Sequence, residues 1–298
     1  MSQAETWTIG RLLTWTTDYL KQHGSDSPRL DAEVLLATAR NSSRIDLYTA
    51  FADVADEQTR TAFRELVRRR AEGMPVAYLV GKREFLSLSF RVTPDVLIPR
   101  PETELLVVRL LDLAKQGIAV PRPPASGVLR IADVGTGSGI IAICVAKHLP
   151  DAEITAIDSS AAALAVAQQN AAQHNVADCI EFIESDLLSA LPPEQKLNII
   201  ASNPPYVSQA EFATLLPSIR NFEPQQALLA GPRGTEVIER LLPQAALHLE
   251  PDGWLLLEVS PMIEPVVREI ITNHGDFELN PTLKDSAGHP RIVQAKKS

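Results

Sequence analysis

Cysteine is nearly absent from this chain: Cys144 and Cys179 are the only two among 298 residues. The first falls in a predicted helix and the second just ahead of a predicted strand, so both read as reduced packing residues. Neither they nor the six histidines show the ligand spacing of a metal site, and no metal is expected. No run reaches the ~18 uninterrupted apolar residues of a membrane helix. Met1-Ser-Gln-Ala-Glu-Thr-Trp7 lacks a basic start and an apolar core, so no secretory signal is expected and a cytoplasmic location follows. Positive charge is short as well: 28 Lys and Arg against 37 Asp and Glu leave a formal charge of −9. A long duplex footprint calls for a basic surface. Stable nucleic-acid binding is therefore not expected, while a protein partner or a local nucleic-acid contact stays open.

What is present suits a well-cored protein, with 45% apolar and 22% charged residues and no internal repeat. Ile9, Leu12, Leu13, Thr16 and Leu20 share one face at helical spacing, and His23-Gly24-Ser25 ends that element. Ser27 is placed to cap a second helix that opens on Pro28, with Leu30, Val34 and Leu35 facing inward. Phe63, Leu66 and Val67 give a later helix its apolar face, while Arg64, Arg68, Arg69 and Arg70 read as a solvated basic side. Gly73-Met-Pro75 stops the helical pattern. Tyr78–Gly81 and Phe85–Val92 then read as two strands of a hairpin, and Pro121–Gly127 as a surface loop.

From Val128 the pattern becomes β-α alternation. Strands are predicted at Val128–Val134, Glu153–Asp158, Ile180–Ile183, Leu197–Ile200 and Trp254–Val259, with helices at Ile140–Leu149 and Ala161–His174 between the first three. Phe277–Leu279 and Arg291–Ala295 are expected to close the sheet as an antiparallel edge. Alternation of this kind implies an α/β fold with a mainly parallel sheet and helices on both faces. Ligands on such sheets bind at the carboxyl ends of the strands, where the strand order reverses.

Two motifs sit at such ends. Gly135-Thr136-Gly137-Ser138-Gly139 follows a strand and opens a helix. Its glycines permit a sharp turn and close approach by a ligand, and the helix start offers donors to a carboxylate. Asp158 ends the next strand, where an acidic side chain can accept from ribose hydroxyls. A dinucleotide loop carries Gly or Ala three residues after its second glycine, where this chain has Ile140. A phosphate loop of the Walker type needs Gly-Lys-Ser/Thr, which is missing. The loop therefore suits S-adenosylmethionine, with Asp186 and Leu187 as further candidates beside the cofactor.

The second motif is Asn203-Pro204-Pro205-Tyr206, directly after the fourth strand of the alternating region. An amide or aromatic amino nitrogen has its lone pair tied up in resonance, and attack on a methyl group requires loss of planarity. Acceptors aimed at its hydrogens therefore bind the transition state better than the ground state. The Asn203 side-chain oxygen and the Pro204 carbonyl can be those acceptors, and neither proline has an N–H to compete. Tyr206 offers a flat face for the substrate's planar group. This chemistry fits a glutamine amide and an adenine amino group equally.

The chain resembles the release factor glutamine-N5 methyltransferases (the PrmC/HemK family) over nearly its full length. The resemblance rests on Gly73–Gly81, on Val96-Leu-Ile-Pro-Arg-Pro-Glu-Thr-Glu104, on Asn203–Tyr206, on Phe222-Glu-Pro224 with Ala227, Leu228 and Gly231, and on Lys284–Val293. Pro101-Glu-Thr-Glu104 separates it from sibling enzymes that modify a ribosomal protein. The resemblance implies a helical N-terminal domain (1–76) that docks the release factor, a β-hairpin linker (77–94) and a Rossmann-like methyltransferase domain (95–298). It implies a methyl acceptor in the Gly-Gly-Gln glutamine of class I peptide chain release factors. Cofactor contacts would fall on Gly135 through Gly139, Asp158, Leu187 and Asn203, beside the candidate Asp186; substrate contacts on Asn203, Pro204, Pro205 and Tyr206, with Asn203, Pro204 and Tyr206 catalytic. Pro101–Glu104 would lie near the cofactor. Adenine-N6 methylation of DNA or RNA, and glutamine methylation of a ribosomal protein, are the alternatives. One departure is visible: Glu258-Val-Ser-Pro-Met-Ile263 replaces the family's usual Glu-Ile-Gly-x-x-Gln and is expected to change the local loop.

Overall fold

A computed structural model describes residues 6–115 and 127–298. Of the loop expected at 121–127, only Gly127 lies within the described residues. Two compact units divide the chain: Met1–Lys82 with Leu216–Phe222, and Arg83–Leu215 with Glu223–Ser298. The inclusion of 216–222 in the first unit has no counterpart in the sequence pattern.

The first unit is helical, with α1 (Ile9–Gln22), α2 (Pro28–Ala39), α3 (Asp46–Thr49), α4 (Glu57–Ala71) and α5 (Val76–Val80). α1 buries the predicted face of Ile9, Leu12, Leu13, Thr16 and Leu20. α2 starts at Pro28 as expected, but Ser27 makes no capping hydrogen bond. Its inward face also differs: Leu30 is exposed, and Asp31 and Glu33 are buried beside Leu35 and Leu36. Ion pairing turns the helix this way. Arg70 Nε donates to Asp31 at 2.8 Å, and Glu33 receives Arg29 at 2.7 Å, Arg44 at 2.6 Å and the Tyr48 hydroxyl. Burial opposes ionisation of Glu33, yet hydrogen bonds from Tyr48, Arg44 and Arg29 hold its carboxyl down at about 2. The basic side of α4 is correspondingly less free than its sequence suggests. Arg70 turns inward to Asp31, and Arg68 pairs with Glu65 and Glu72.

The strand expected at Tyr78–Gly81 is helical instead. Pro75 opens α5, with its carbonyl accepting from Tyr78 and Leu79 at 3.1 and 3.2 Å, and Gly81 closes it at φ 71°. An apolar run this short does not declare its period, so flanking residues decide. The strand expected over Phe85–Val92 is split into β1 (Lys82–Phe85) and β2 (Leu88–Arg91). Leu86 and Ser87 make the turn at φ 45° and 62°. Two-residue hairpin turns of this hand usually announce themselves with Asn-Gly. Here Glu104 compensates, its carboxylate accepting from the Leu86 amide at 3.1 Å.

The second unit continues with α6 (Thr103–Lys115), β3 (Arg130–Val134), α7 (Ile140–His148), β4 (Glu153–Asp158), α8 (Ala161–Gln173), β5 (Ile180–Glu184) and β6 (Leu197–Ser202). Short β7 (Val207–Ser208), α9 (Gln209–Thr214), α10 (Pro217–Arg220, in the first unit's segment) and β8 (Leu229–Gly231) follow. The chain ends with α11 (Glu236–His248), β9 (Leu249–Glu258), α12 (Glu264–His274), β10 (Phe277–Leu279), β11 (Leu283–Lys284) and β12 (Pro290–Lys297). The main sheet has the order β10-β12-β9-β6-β3-β4-β5. β9, β6, β3, β4 and β5 are parallel; at the edge β12 pairs antiparallel with β9 and β10 pairs antiparallel with β12, the antiparallel edge that the sequence predicts.

Side chains alternate across this sheet. Ile131, Ile154, Ile199 and Trp254 join a core with α6 and α7, whereas Ala132, Ile157, Ile200 and Leu255 join another with α11 and α12. Each fully buried Leu or Ile side chain adds roughly 1.5–3 kcal/mol by area removed from water. α7 is buried from Ile140 through Ala146, which places its N-terminus firmly against the sheet. Among the described residues no helix is long and apolar enough to cross a membrane.

Candidate active site

The chain runs from β3 outward to β4 and β5, then returns to β6 on the other side of β3. That reversal makes the carboxyl ends of β3 and β6 the expected ligand crevice. Register places the two motifs there together. Val134 lies opposite Ser202, Ile157 opposite Val134, and Ser202 opposite Leu257. The next residue on each strand therefore forms one row: Asp158, Gly135, Asn203, Glu258. The Ser202 hydroxyl also donates to the Val134 carbonyl at 2.7 Å.

The three glycines of the first motif divide their work. Gly135 and Gly137 hold φ 76° and 54°, and a side chain on Gly137 would meet nothing within 4 Å. Gly139, at φ 83°, instead lets α7 approach α8: a Cβ there would lie 2.9 Å from Ile143 Cδ1 and 3.1 Å from Ala167 Cβ. Close helix packing, which a dinucleotide loop assigns to its last Gly or Ala, is thus served at Gly139 rather than at Ile140. The amides of Gly135 and Thr136 donate to the Ile157 carbonyl at 2.8 and 2.9 Å, folding the loop toward β4. Beneath it, buried Asp133 accepts from the Thr136 hydroxyl at 2.6 Å and the Ala142 amide at 3.1 Å. Burial pushes the Asp133 carboxyl up to about 7, against those two hydrogen bonds.

Asp158 accepts from the Gly137 amide at 2.9 Å and the Ser160 amide at 3.0 Å. Burial raises its carboxyl above the ordinary range, and the backbone donors oppose that rise. A carboxylate has about four acceptor positions, so two backbone bonds leave capacity for a ligand's hydroxyls. Gly135, Thr136, Gly137, Ser138, Asp158, Asp186, Leu187, Asn203 and Pro205 all line one cavity of ≈ 240 Å³. Gly139, Pro204 and Tyr206 stand outside that lining. Asp186 is exposed and paired with Arg240. Leu187 adopts φ 56°, a left-handed backbone uncommon for a branched residue and frequent at ligand sites.

In the second motif, Asn203 is half-buried and Pro204 buried. The Asn203 amide nitrogen donates to the Thr103 hydroxyl at 3.2 Å. Tyr206 packs against the second core, and Gly234 makes room for its carbonyl, since a Cβ there would come within 2.8 Å of that oxygen. Burial, then the nearby Glu258, pushes the Tyr206 phenol up to about 12.

Sequence reasoning left several site residues without roles. Thr103 falls in the Pro101–Glu104 segment that the resemblance puts near the cofactor, with no role of its own; it is fully buried and lines the cavity. Glu258 reads as the end of a strand, yet it is only 2% exposed. Burial pushes its carboxyl up to about 7, opposed by a hydrogen bond from Thr103. Arg100 pairs with buried Glu223 at 2.6 Å, whose other oxygen accepts from the Ile98 amide at 3.2 Å. Arg291 bridges Asp285 at 2.8 Å and Glu102 at 3.6 Å. The acidic residues of Pro101–Glu104 thus anchor the strand edge and hairpin turn, while Thr103 alone reaches Asn203. A helix start followed by a downstream Asn gives no sign of this pairing.

Comparison with known proteins gives the chain's family. Residues 11–81 match the PrmC N-terminal domain, and residues 121–219 match the methyltransferase small domain. A release factor glutamine methyltransferase of Rhodopirellula baltica is 49% identical over 98% of this chain and 97% of its own length. One from Koribacter versatilis is 42% identical over 94% of this chain and 95% of its own. Among solved structures, the hMettl16 catalytic domain, crystallised with the MAT2A 3′UTR hairpin 1, superposes with a TM-score of 0.53. At 18% identity over 78% of this chain and 80% of that one, the likeness is one of fold.

Proposed function

Because the chain belongs to the release factor glutamine methyltransferase family, we infer that it is an S-adenosylmethionine-dependent enzyme methylating a glutamine of peptide release factors. The acceptor we assign is the side-chain amide nitrogen (N5) of the Gly-Gly-Gln glutamine in class I factors. The observation that carries this reading is the shared row of Gly135 and Asn203 at the ends of neighbouring parallel strands.

The cavity's residues fit S-adenosylmethionine. Gly135 and Gly137 leave its floor bare, Asp158 keeps acceptor capacity for ribose hydroxyls, and Leu187 supplies an apolar edge. When bound, that cofactor supplies an electrophilic methyl group. The protein's own part concerns the amide. Asn203 Oδ1 and the Pro204 carbonyl accept the two amide hydrogens, and these bonds tighten as the nitrogen loses planarity. Pro204 and Pro205 contribute no N–H to compete for those acceptors. Tyr206 is raised well out of its ionising range and acts as a neutral ring beside the substrate. No side chain has to remove a proton beforehand; the alkylated nitrogen sheds one to water afterwards.

For the helical region 1–76 we assign docking of the release factor, with 77–94 as the linker to a methyltransferase domain at 95–298. The match of 11–81 to the PrmC N-terminal domain supports this division. Incubation with methyl-labelled cofactor, a release factor and plasmid DNA tests the function. Label is expected in the release factor; label confined to the DNA would overturn the assignment.

A further inference from the structure

The alanine-rich helix α8 carries one asparagine, Asn170, and buries it completely. Asparagine is a poor choice for a helix, because its side chain competes with the backbone for hydrogen bonds. Burying its amide also costs free energy unless its polar atoms find partners. Here they do. Oδ1 of Asn170 accepts from the Arg91 amide at 2.7 Å. Its Nδ2 donates to the Arg91 carbonyl at 3.0 Å and to the Ser138 carbonyl at 2.8 Å. One side chain thus ties the end of β2 to the glycine loop of the cofactor cavity.

We propose that Asn170 is a positioning residue for the cofactor: it fixes the Ser138 end of the glycine loop and couples that loop to the hairpin strand β2. The role rests on the assignment of S-adenosylmethionine to this cavity. A carboxamide has two N–H donors, and Asn170 spends both on carbonyls. Turning the amide over would set Oδ1 against two carbonyls and Nδ2 against an N–H, so only one orientation is satisfied. Other groups hold the rest of the loop. The Ile157 carbonyl takes the Gly135 and Thr136 amides, and Asp158 takes that of Gly137. Ser138 itself is buried and lines the cavity. The Ala142 amide, four residues further on, turns to Asp133, and the Ser138 carbonyl looks to α8 for its partner.

The hairpin side of the tie is built the same way. β1 and β2 form a two-stranded sheet, and side chains at the end of α8 stand where a third strand would pair. Gln173 Nε2 donates to the Ser89 carbonyl at 2.8 Å, and His174 Nε2 lies 2.9 Å from the same oxygen. Ser89 and Arg91 are alternate residues, so their backbone groups face one edge of the strand. On the loop side, Ala167 precedes Asn170 by one helical turn and is the residue against which Gly139 packs. Asn170 is where the two sets of contacts meet. A cofactor that steadies the loop should therefore steady β2 through this side chain, and by linkage an ordered β2 should favour cofactor binding.

The test uses the full-length enzyme and S-adenosylmethionine, with titration calorimetry and amide hydrogen exchange. In wild type, saturating cofactor should slow exchange in β2 by about fivefold or more, the lower scale of coupling between sites. That slowing is counted beyond any seen in the edge strand β10, which reports stabilisation of the whole fold. N170D keeps the size and the acceptor for the Arg91 amide, but its carboxylate has no N–H for the two carbonyls. Its cofactor dissociation constant should rise by roughly tenfold, the upper scale of a net hydrogen bond. The response of β2 should disappear even with cofactor saturating. Q173A loosens only the Ser89 contact and should bind cofactor as wild type does. Wild-type affinity in N170D, or a β2 response that survives in it, would overturn the role. If N170D does not fold, wild type alone gives the answer: β2 slowed no more than β10 would overturn it equally. Wild-type enzyme that binds no S-adenosylmethionine would remove the cofactor reading itself, a result distinct from any difference between variants.

Discussion

The Ser202 hydroxyl donates to the Val134 carbonyl at 2.7 Å, joining the last residues of the two strands that lead into the glycine loop and the Asn-Pro-Pro-Tyr motif. Both residues are buried. The bond therefore locks the cofactor strand to the catalytic strand at the level where their ligands must meet. Removing it by Ser202→Ala should cost about 1–2 kcal/mol of stability, read from urea unfolding. It should also weaken cofactor binding and slow turnover together, because both motifs lose the same reference point. A loss of stability with both functions intact would show that the bond serves packing alone.

Asn203→Ala removes the acceptor itself. Methyl transfer should drop by ~10²-fold or more while cofactor affinity changes far less, the pattern of a contact strengthened at the transition state. Steady-state kinetics with calorimetric cofactor binding separates the two effects. Equal turnover in mutant and wild type would refute the role.

Asp158→Ala should act on the other side of the row. It removes the acceptor proposed for the ribose and also frees the Gly137 and Ser160 amides that Asp158 now holds. The dissociation constant for cofactor should rise by at least tenfold, about 1.4 kcal/mol, measured by titration calorimetry. An unchanged constant counts against the assignment.

Gly137 and Gly139 offer a contrast within one loop. Gly139→Ala places a methyl group against Ile143 and Ala167 at a positive φ, so it should destabilise the fold by about 1–3 kcal/mol. Gly137→Ala carries positive-φ strain too but meets open space, so it should destabilise less than Gly139→Ala while weakening cofactor binding. Thermal melts of the two variants, with and without cofactor, distinguish a packing glycine from a ligand-facing one.

Buried Glu258 gives the fold a pH-dependent stability signature. Its carboxyl lies near 7 in the fold and near ~4.3 when the chain is unfolded. Between those values the native state binds the extra proton, so this group's contribution to stability is present at the acid end and lost as pH rises. Asp133, also raised to about 7, pulls the same way in wild type and E258Q alike. Comparing their denaturant midpoints at about pH 5 and pH 8 isolates Glu258. Wild type should lose more stability across that interval than E258Q does; parallel curves would argue against a raised carboxyl.

Much of this site is legible in the sequence, and the reason is local. Strands β3 to β6 declare themselves by apolar runs, and the glycine loop and Asn203–Tyr206 follow them directly, so local pattern alone places them at strand ends. Which residues meet across the sheet is another matter. Register between strands far apart in sequence creates the row from Asp158 to Glu258, and nothing near Glu258 announces that it is buried beside Thr103. Local ambiguity accounts for the other departures. Tyr78–Val80 fits helix or strand until Pro75 and Gly81 decide, and Leu86-Ser87 forms a turn its composition does not signal. On α2 the buried carboxylates Asp31 and Glu33 displace Leu30 outward, which a count of apolar residues alone cannot reveal.

The most direct measurement is mass spectrometry of the Gly-Gly-Gln peptide from a release factor treated with wild-type enzyme or with Asn203→Ala. We expect one added methyl, located on the glutamine side chain, with wild type and almost none with the variant. A methyl on another residue, or equal modification by both proteins, would contradict the central claim that Asn203 holds the accepting amide.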